Sequence, residues 1–282
     1  MRIATYNVQN LFASSDQGNS KPTVALKAVA RTLDLMAADV VALQEVAGEA
    51  ALAELNTLLR DPYAHAHSVH SNSQRGIHLA YLSRHPLLLR SHRELMLADC
   101  NGTTLTDYEH APEAASATPK PLRLQRDLLR ADVAFGGNPK ALTLFNVHFK
   151  SKAEQAWRLL SSDEIRTAEA RAVAAQIADL GRTEPQQLAL LLGDFNDQLS
   201  SPTLAAIRNL NWCDGLAFDH AQLGRSGRLP GTYWSKRRLR IDYVLLNANA
   251  ERALVPASVR VHASTLAQRG SDHYPVSVDV SL

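Results

Sequence analysis

A chain of 282 residues, 45 % of them hydrophobic, can bury a sizeable core within one large α/β unit, so residues 1–282 are read as a single domain. No apolar run approaches the ~20 residues that a membrane-spanning helix needs, and two cysteines, Cys100 and Cys213, exclude a disulfide framework. The net charge of +2 neither requires nor excludes a polyanionic partner, so the distribution of charge along the chain carries the information.

In chain order, Arg2 to Asn10 reads as a strand ending in the amides Asn7, Gln9 and Asn10. A strand beginning at Arg2 leaves no room for a leader, and a cytoplasmic protein is expected. Pro22 opens a helix to Met36, with Val24, Ala28, Ala30 or Arg31, and Leu35 at helical spacing. Asp39 to Glu45 is a second strand, apolar and then abruptly carboxylate. A Glu at that end needs a partner, because burying a lone charge is costly. Gly48 to Arg60 is helical, and Pro62 starts a polar strand with His65, His67 and His70. His65 and His67 share a strand face, a spacing zinc could use. With no thiol or further clustered ligand, the stretch is read as a solvated edge strand.

Gly76 to Ser83 and Leu87 to Leu95 read as strands paired around a turn at Arg84-His85-Pro86. Asp99 to Gln125 shows no period and reads as a long loop, functional or disordered. Leu128 to Phe135 and Ala141 to Phe149 form another hairpin. Ser161 with Glu164 fits a capping box, opening a helix that carries Ile165, Ala168, Ala172, Gln176 and Leu180 on one face before Gly181. Leu188 to Asp194 is a strand buried on both faces, running through Gly193 into Asp194-Phe195-Asn196-Asp197. Ser201-Pro202 begins a short helix. Between His220 and Ile241 stand Arg225, Arg228, Lys236, Arg237, Arg238 and Arg240 with no acid among them. Ile241 to Leu246, Ala257 to His262 and Val276 to Val280 are the last strands.

Several strand ends therefore supply polar groups: Asn7, Glu45, His148, Asp194, Asn196, Asp272 and His273. Open α/β sheets place their ligands beyond such ends. Oxygen donors without thiolates suit a hard cation, and Mg²⁺ typically takes one or two carboxylates plus water and phosphate. Two histidines, one preceded by Asp, suit acid–base work or oxyanion stabilisation near neutral pH. Asp242 is a candidate to orient His273. Composition and spacing point to a metal-assisted hydrolase.

The set Tyr6-Asn7-Val8, Leu43-Gln44-Glu45, Asn146-Val147-His148, Gly193-Asp194-Phe195-Asn196, Arg240-Ile241-Asp242-Tyr243 and Ser271-Asp272-His273 resembles the endonuclease/exonuclease/phosphatase superfamily. The motifs stand in that family's order over residues 6 to 273. The resemblance implies a four-layer α/β sandwich, two mixed β-sheets packed face to face with helices outside. It implies a metal, Mg²⁺ with Mn²⁺ as a substitute, held by Glu45, with Asn7 and Asp272 beside it. Asp194 would position or deprotonate the attacking water, Asn196 and Asn7 would hold the phosphate, and His148 and His273 would serve the phosphoryl oxygens, Asp242 orienting His273. Lys150 and Arg126 are further candidates for substrate binding. Arg126-Asp127 resembles a basic–acidic pair near the histidines of relatives. Gln9 stands where the family's nucleases often carry a carboxylate, which favours one metal. Asp197 reads as a helix-capping or supporting group.

The expected function is phosphodiester hydrolysis by in-line attack of water, on nucleic acid or alternatively on small or lipid phosphoesters, by a monomer without membrane insertion. The basic run, with Tyr233 and Trp234 beside it, reads equally as a phosphate-contacting surface or as a solvated hairpin. A catalytically dead binding module has no need for so many desolvated carboxylates and histidines.

Overall fold

The computed structural model describes residues 1–16, 18–108, 111, 117–225, 227–234 and 239–282. Among these, two six-stranded mixed sheets pack face to face. The first runs β13 (Arg260–Val261), β14 (Val276–Asp279), β1 (Arg2–Leu11), β2 (Val40–Val46), β4 (His78–Ser83), β3 (His65–Val69). The second runs β11 (Cys213–Asp214), β12 (Asp242–Leu246), β10 (Ala189–Asp194), β9 (Asn138–His148), β8 (Leu128–Phe135), β5 (Leu87–Ser91). In each sheet one parallel pair, β1 with β2 and β9 with β10, sits among antiparallel neighbours.

The period-2 alternation of the strands builds the layers. Ile3, Val40, Ala42, Leu79 and Tyr81 point inward against Leu129, Leu144, Leu190, Leu192 and Val244 of the other sheet. Their neighbours Ala4, Tyr6, Val41 and Leu43 point outward, under α1 (Thr23–Met36) and α2 (Glu49–Thr57). Phe145, Val147, Leu191 and Tyr243 do the same on the other sheet, under α3 (Ser162–Thr183) and α4 (Ala205–Arg208). Of the short helices, α7 (Thr265–Gly270) packs beside α1, and α5 (Gly215–Gln222) and α6 (Ala248–Arg252) lie against β12. This is the four-layer α/β sandwich expected from the sequence, and no described helix is long and apolar enough to cross a membrane.

Three local readings are corrected. Strands β4 and β5 do not pair; β4 pairs with β2 and β3, and β5 pairs with β8 of the other sheet. The turn at Arg84-His85-Pro86 is thus a crossover between sheets, since Leu79 and Tyr81 on one side and Leu87 and Leu89 on the other all pack into the inter-sheet core. In α1, Val24 and Leu35 are exposed, and the buried stripe is Leu26, Val29, Ala30, Leu33 and Met36, which presents larger side chains at the same spacing. The α3 capping box is present, but Val173 and Ile177 are buried where Ala172 and Gln176 were expected, and the helix continues past Gly181 to Thr183. Among its described residues, the stretch from Asp99 to Gln125 carries a small ribbon of β6 (Thr106–Asp107) and β7 (Lys120–Pro121).

Candidate active site

The carboxyl ends of β1, β2, β9 and β10 meet at one edge of the sandwich, and the antiparallel strand β12 begins there. Register fixes much of the geometry: Asp194 lies opposite His148 on one side and Asp242 on the other. The close packing of β10 on β9 requires Gly193, at φ +138°, because a Cβ there would lie 2.0 Å from the Val147 carbonyl oxygen. Both β1 and β2 break register as they reach the edge. Gln9, Asn10 and Glu45 take positive φ (48°, 52° and 66°), as does Asn196 in the loop after β10 (52°). Strained non-glycine backbone of this kind persists only where the surroundings hold it, commonly at functional sites. Here it lets the Asn10 amide donate to Glu45 Oε2 at 2.9 Å and the Gln9 amide to Asn7 Oδ1 at 3.0 Å.

Asp194 is the hub. Its Oδ2 accepts from Asn7 Nδ2 at 2.9 Å and lies 3.6 Å from His148 Nε2 and 3.8 Å from His273 Nε2; its Oδ1 accepts from the Asn196 amide at 2.8 Å. The Asn196 side chain donates to the Phe149 carbonyl at 2.9 Å, which fixes the loop after Asp194 against the end of β9. Glu45 Oε1 is 3.9 Å from His148 Nε2 and 3.5 Å from Asn7 Nδ2. His273 Nδ1 contacts Asp242 at 2.9 and 3.0 Å. Ser271 ties this loop to β1 by donating to the Asn7 carbonyl and accepting from the His273 amide.

Burial sets the charges. It pushes Asp194 up to about 7, with the charge of Asp242 adding to the effect and that of His273 opposing it. Burial also holds His148 well below the usual imidazole value, reinforced by the positive charges of Arg126, His273 and Arg75. For His273 burial acts in the same downward sense, but Asp242 and Asp194 outweigh it and the imidazolium is favoured. The two histidines are therefore different species, one neutral and one charged.

Two donor sets compete for a cation. Ligand atoms of Asp194, Asp242 and His273 lie within 4.8 Å of one another, the composition of a metal-binding group. His273 Nδ1 is bonded to Asp242, which leaves Glu45 and Asp272 as a second pair of oxygen donors of the kind that could hold a hard cation. Burial raises Asp272, and the nearby Glu45 charge raises it further, the repulsion expected between two carboxylates held close together.

Residues 4–273 match the Endonuclease/Exonuclease/phosphatase family. The chain belongs to this family. It is a phosphoester hydrolase of that family. Solved structures of similar fold include a 3'-5' exonuclease from Neisseria meningitidis (22 % identity over all of both chains, TM-score 0.62). Others are an AP endonuclease from Archaeoglobus fulgidus (16 %, all of both chains, 0.62) and a mannosyl-6-phosphatase from Bacteroides thetaiotaomicron (17 %, all of both chains, 0.59). No curated protein matches the sequence.

Within this hydrolase, the expected residues Asn7, Glu45, His148, Asp194, Asn196, Asp242, Asp272 and His273 converge at the one edge. Lys150 does not direct its ammonium there: it donates to the carbonyls of Ser151 and Ala153 and to Ser162 Oγ. Arg126 is near His148, whereas Asp127 turns away to accept the His92 amide at 2.8 Å. Asp197 does not cap a helix; it bridges Lys152, Arg166, Thr203 and the Gln198 amide. In the basic run, Lys236, Arg237 and Arg238 lie outside the described residues. Arg240 is committed to Asp214 by bonds of 2.8 and 2.5 Å and stacks on Tyr243. His65 and His67 sit half-buried on the edge strand β3.

Two neighbours carried no sequence signal. Lys21, in the loop after β1, donates to the Gln9 carbonyl at 2.8 Å; burial lowers it to about 8 against the charges of Asp272 and Glu45. Arg75, between β3 and β4, bonds Asn10 Oδ1 and lies 3.9 Å from Glu45 Oε2. Both reach the site only through loop paths that no local spacing encodes.

Proposed function

We propose that the protein is a divalent-metal-dependent phosphodiester hydrolase whose substrate is nucleic acid, with Mg²⁺ as the metal and Mn²⁺ as a substitute. The observation that carries the reading is Asp194, a buried carboxylate held by Asn7 between a neutral and a charged histidine and beside Glu45. Glu45, Asp272 and Asn7 would hold the cation, which when bound neutralises charge on the phosphoryl group. Asp194, raised toward neutrality by burial, accepts the proton of the attacking water. His273, kept charged by Asp242, donates from Nε2 to a phosphoryl oxygen as charge builds there. Neutral His148 supplies a hydrogen bond from the other side, and Asn196 holds the loop that aims Asp194. Arg126 and the exposed indole of Trp234, whose Nε1 is fixed on the Ser271 carbonyl at 2.7 Å, extend the binding surface to either side.

A second reading, hydrolysis of a small phosphoester, is favoured by one observation: Arg240 belongs to the basic run yet is consumed by Asp214. One assay panel separates the two. Plasmid, single-stranded DNA, RNA, abasic duplex and bis-p-nitrophenyl phosphate are each offered with and without Mg²⁺, to wild type and to Glu45→Gln. Metal-dependent cleavage of polymers, lost in Glu45→Gln with the fold intact, is the expected result. Undiminished turnover in excess EDTA would sink the metal-dependent reading, and cleavage of the small ester alone would favour the second.

A further inference from the structure

The buried face of α3 is apolar at Ile165, Ala168, Val173, Ile177 and Leu180, yet it also carries two side chains of opposite charge, Arg166 and Glu169, 0 % and 1 % exposed. The capping box at Ser161 and Glu164 sets where the helix begins, and a spacing of three then puts both charges on one face near its start. Buried ion pairs are often no more stabilising than apolar side chains of the same volume. Stability alone therefore gives no reason for an arginine and a glutamate here.

Their partners lie in the loops that leave the active-site edge. Arg166 Nη1 donates to the Lys150 carbonyl at 2.8 Å, and Glu169 Oε2 accepts the Lys150 amide at 2.6 Å, so the two side chains grip one residue by both of its backbone polar groups. Arg166 Nη2 lies 3.3 Å from Asp197 Oδ2 and also pairs with Asp163. Glu169 Oε1 accepts the Gln125 amide at 3.0 Å, from the segment leading into β8. One residue before Lys150, the Phe149 amide donates to the Asp194 carbonyl at 3.0 Å, and the Phe149 carbonyl accepts Asn196 Nδ2 at 2.9 Å. His148 itself lies opposite Asp194 in the β9–β10 ladder. Arg166 thus joins the loop that follows His148 to the loop that follows Asp194.

We propose that Arg166 and Glu169 are positioning residues for hydrolysis: from α3 they set the placement of His148 relative to Asp194, and neither touches the substrate. This rests on the phosphodiester reading above and deepens it. A charged hydrogen bond is directional where apolar contact is not, so a helix that holds a loop through a guanidinium and a carboxylate fixes its register as well as its distance. A misplacement of ~1 Å at reacting groups is enough to cost about 10²-fold in rate. The far end of the same helix provides the comparison. There Arg130, 8 % exposed, pairs with Asp132 at 2.9 Å and at 3.3 Å with Glu184, the residue that ends α3. Asp132 lies opposite Thr143, well down β9 from His148.

The test compares Arg166→Met, Glu169→Gln and Arg130→Met in the full chain, each checked for folding by thermal unfolding. In the metal-free protein the imidazole NMR resonances of His148 should be displaced in Arg166→Met and Glu169→Gln and unmoved in Arg130→Met. Those of His273, held by Asp242 and Ser271, should stay in place in all three. With Mg²⁺ and bis-p-nitrophenyl phosphate, Arg166→Met should lower kcat at least ~10-fold with KM within about twofold of wild type, the pattern of a lost alignment rather than lost binding. Glu169→Gln, which keeps the volume and one acceptor oxygen, should do the same to a smaller extent, and serves if Arg166→Met does not fold. Arg130→Met should lower Tm and keep kcat per folded molecule; Lys140→Met, which loses the same Glu184 partner, stands in if it does not fold. His148 resonances unmoved in the folded α3 variants, or an equal loss of kcat in the Arg130 or Lys140 variant, would overturn the positioning role. Displaced His148 resonances in a protein without turnover under any divalent metal would overturn the hydrolytic reading alone.

Discussion

Gln44 and Asn146 join the two sheets through a fully buried hydrogen bond, Gln44 Nε2 to Asn146 Oδ1 at 2.7 Å. The Asn146 amide in turn donates to the carbonyls of Leu43 and Ala80. Each of the two residues stands just before the active-site edge, Gln44 one position from Glu45 and Asn146 two from His148. This polar strut keeps the two strand ends that carry Glu45 and His148 in one relative position where apolar contacts alone would permit sliding. Gln44→Leu leaves the Asn146 oxygen buried without its donor, which costs ~1–3 kcal/mol. A fall in Tm of about 2–4 °C per kcal/mol is expected. Asn146→Leu should cost more, because it also strands two carbonyls. Unchanged thermal unfolding of both variants would remove the strut from the account.

Gly193→Ala should be severe. The added Cβ meets the Val147 carbonyl at 2.0 Å in a conformation unfavourable to any side chain, so β10 must move away from β9 and carry Asp194 with it. A loss of more than ~2 kcal/mol is expected, read as a shifted denaturation midpoint. Activity of the surviving folded protein should fall as well.

His273→Ala should lower kcat by at least ~10²-fold. Asp242→Asn should give a milder loss with a diagnostic sign. It removes the nearest negative charge holding the imidazolium, so the His273 pKa falls and the alkaline limb of the pH–rate profile moves to lower pH. Imidazole titration by NMR in the two proteins measures this directly, and an unmoved His273 would end the orienting role of Asp242.

Acid should expose Asp197. Burial works against its charge, but bonds from Lys152, Ser201, Thr203 and the Gln198 amide prevail and hold it at about 2. A carboxylate depressed in the folded state contributes stability above its unfolded pKa, near ~3.8, and that contribution is lost as pH falls through the folded value. Lys152 is more than half exposed, so solvent screening limits the contribution to ~1–2 kcal/mol. Asp197→Asn should therefore be less stable than wild type at pH 7 and converge with it toward pH 2. Parallel stability curves across that range would show that the bonds do not depend on ionisation.

What the chain determined locally was the strands and where they end. Alternation and apolar runs mark β1, β2, β9, β10 and β12, and each carries at or near its active-site end a polar residue whose chemistry is legible without coordinates: Asn7, Glu45, His148, Asp194 and, where β12 begins, Asp242. The capping box of Ser161 and Glu164 is local for the same reason, its partners being three residues apart. Which strands pair is a different kind of fact. Strands β4 and β5 are neighbours in sequence and belong to different sheets, because the inter-sheet core accepts apolar faces from both sides and a short crossover costs little. The face of α1 was likewise decided by what it packs on, not by its own spacing. Lys21 and Arg75 enter the site through loops, and their distance from Glu45 depends on bulges that a linear pattern does not encode. Nor does a linear pattern separate His148 from His273. Both are histidines at strand ends, and only the contact of one with Asp242 and the burial of the other among positive charges make them a cation and a neutral ring.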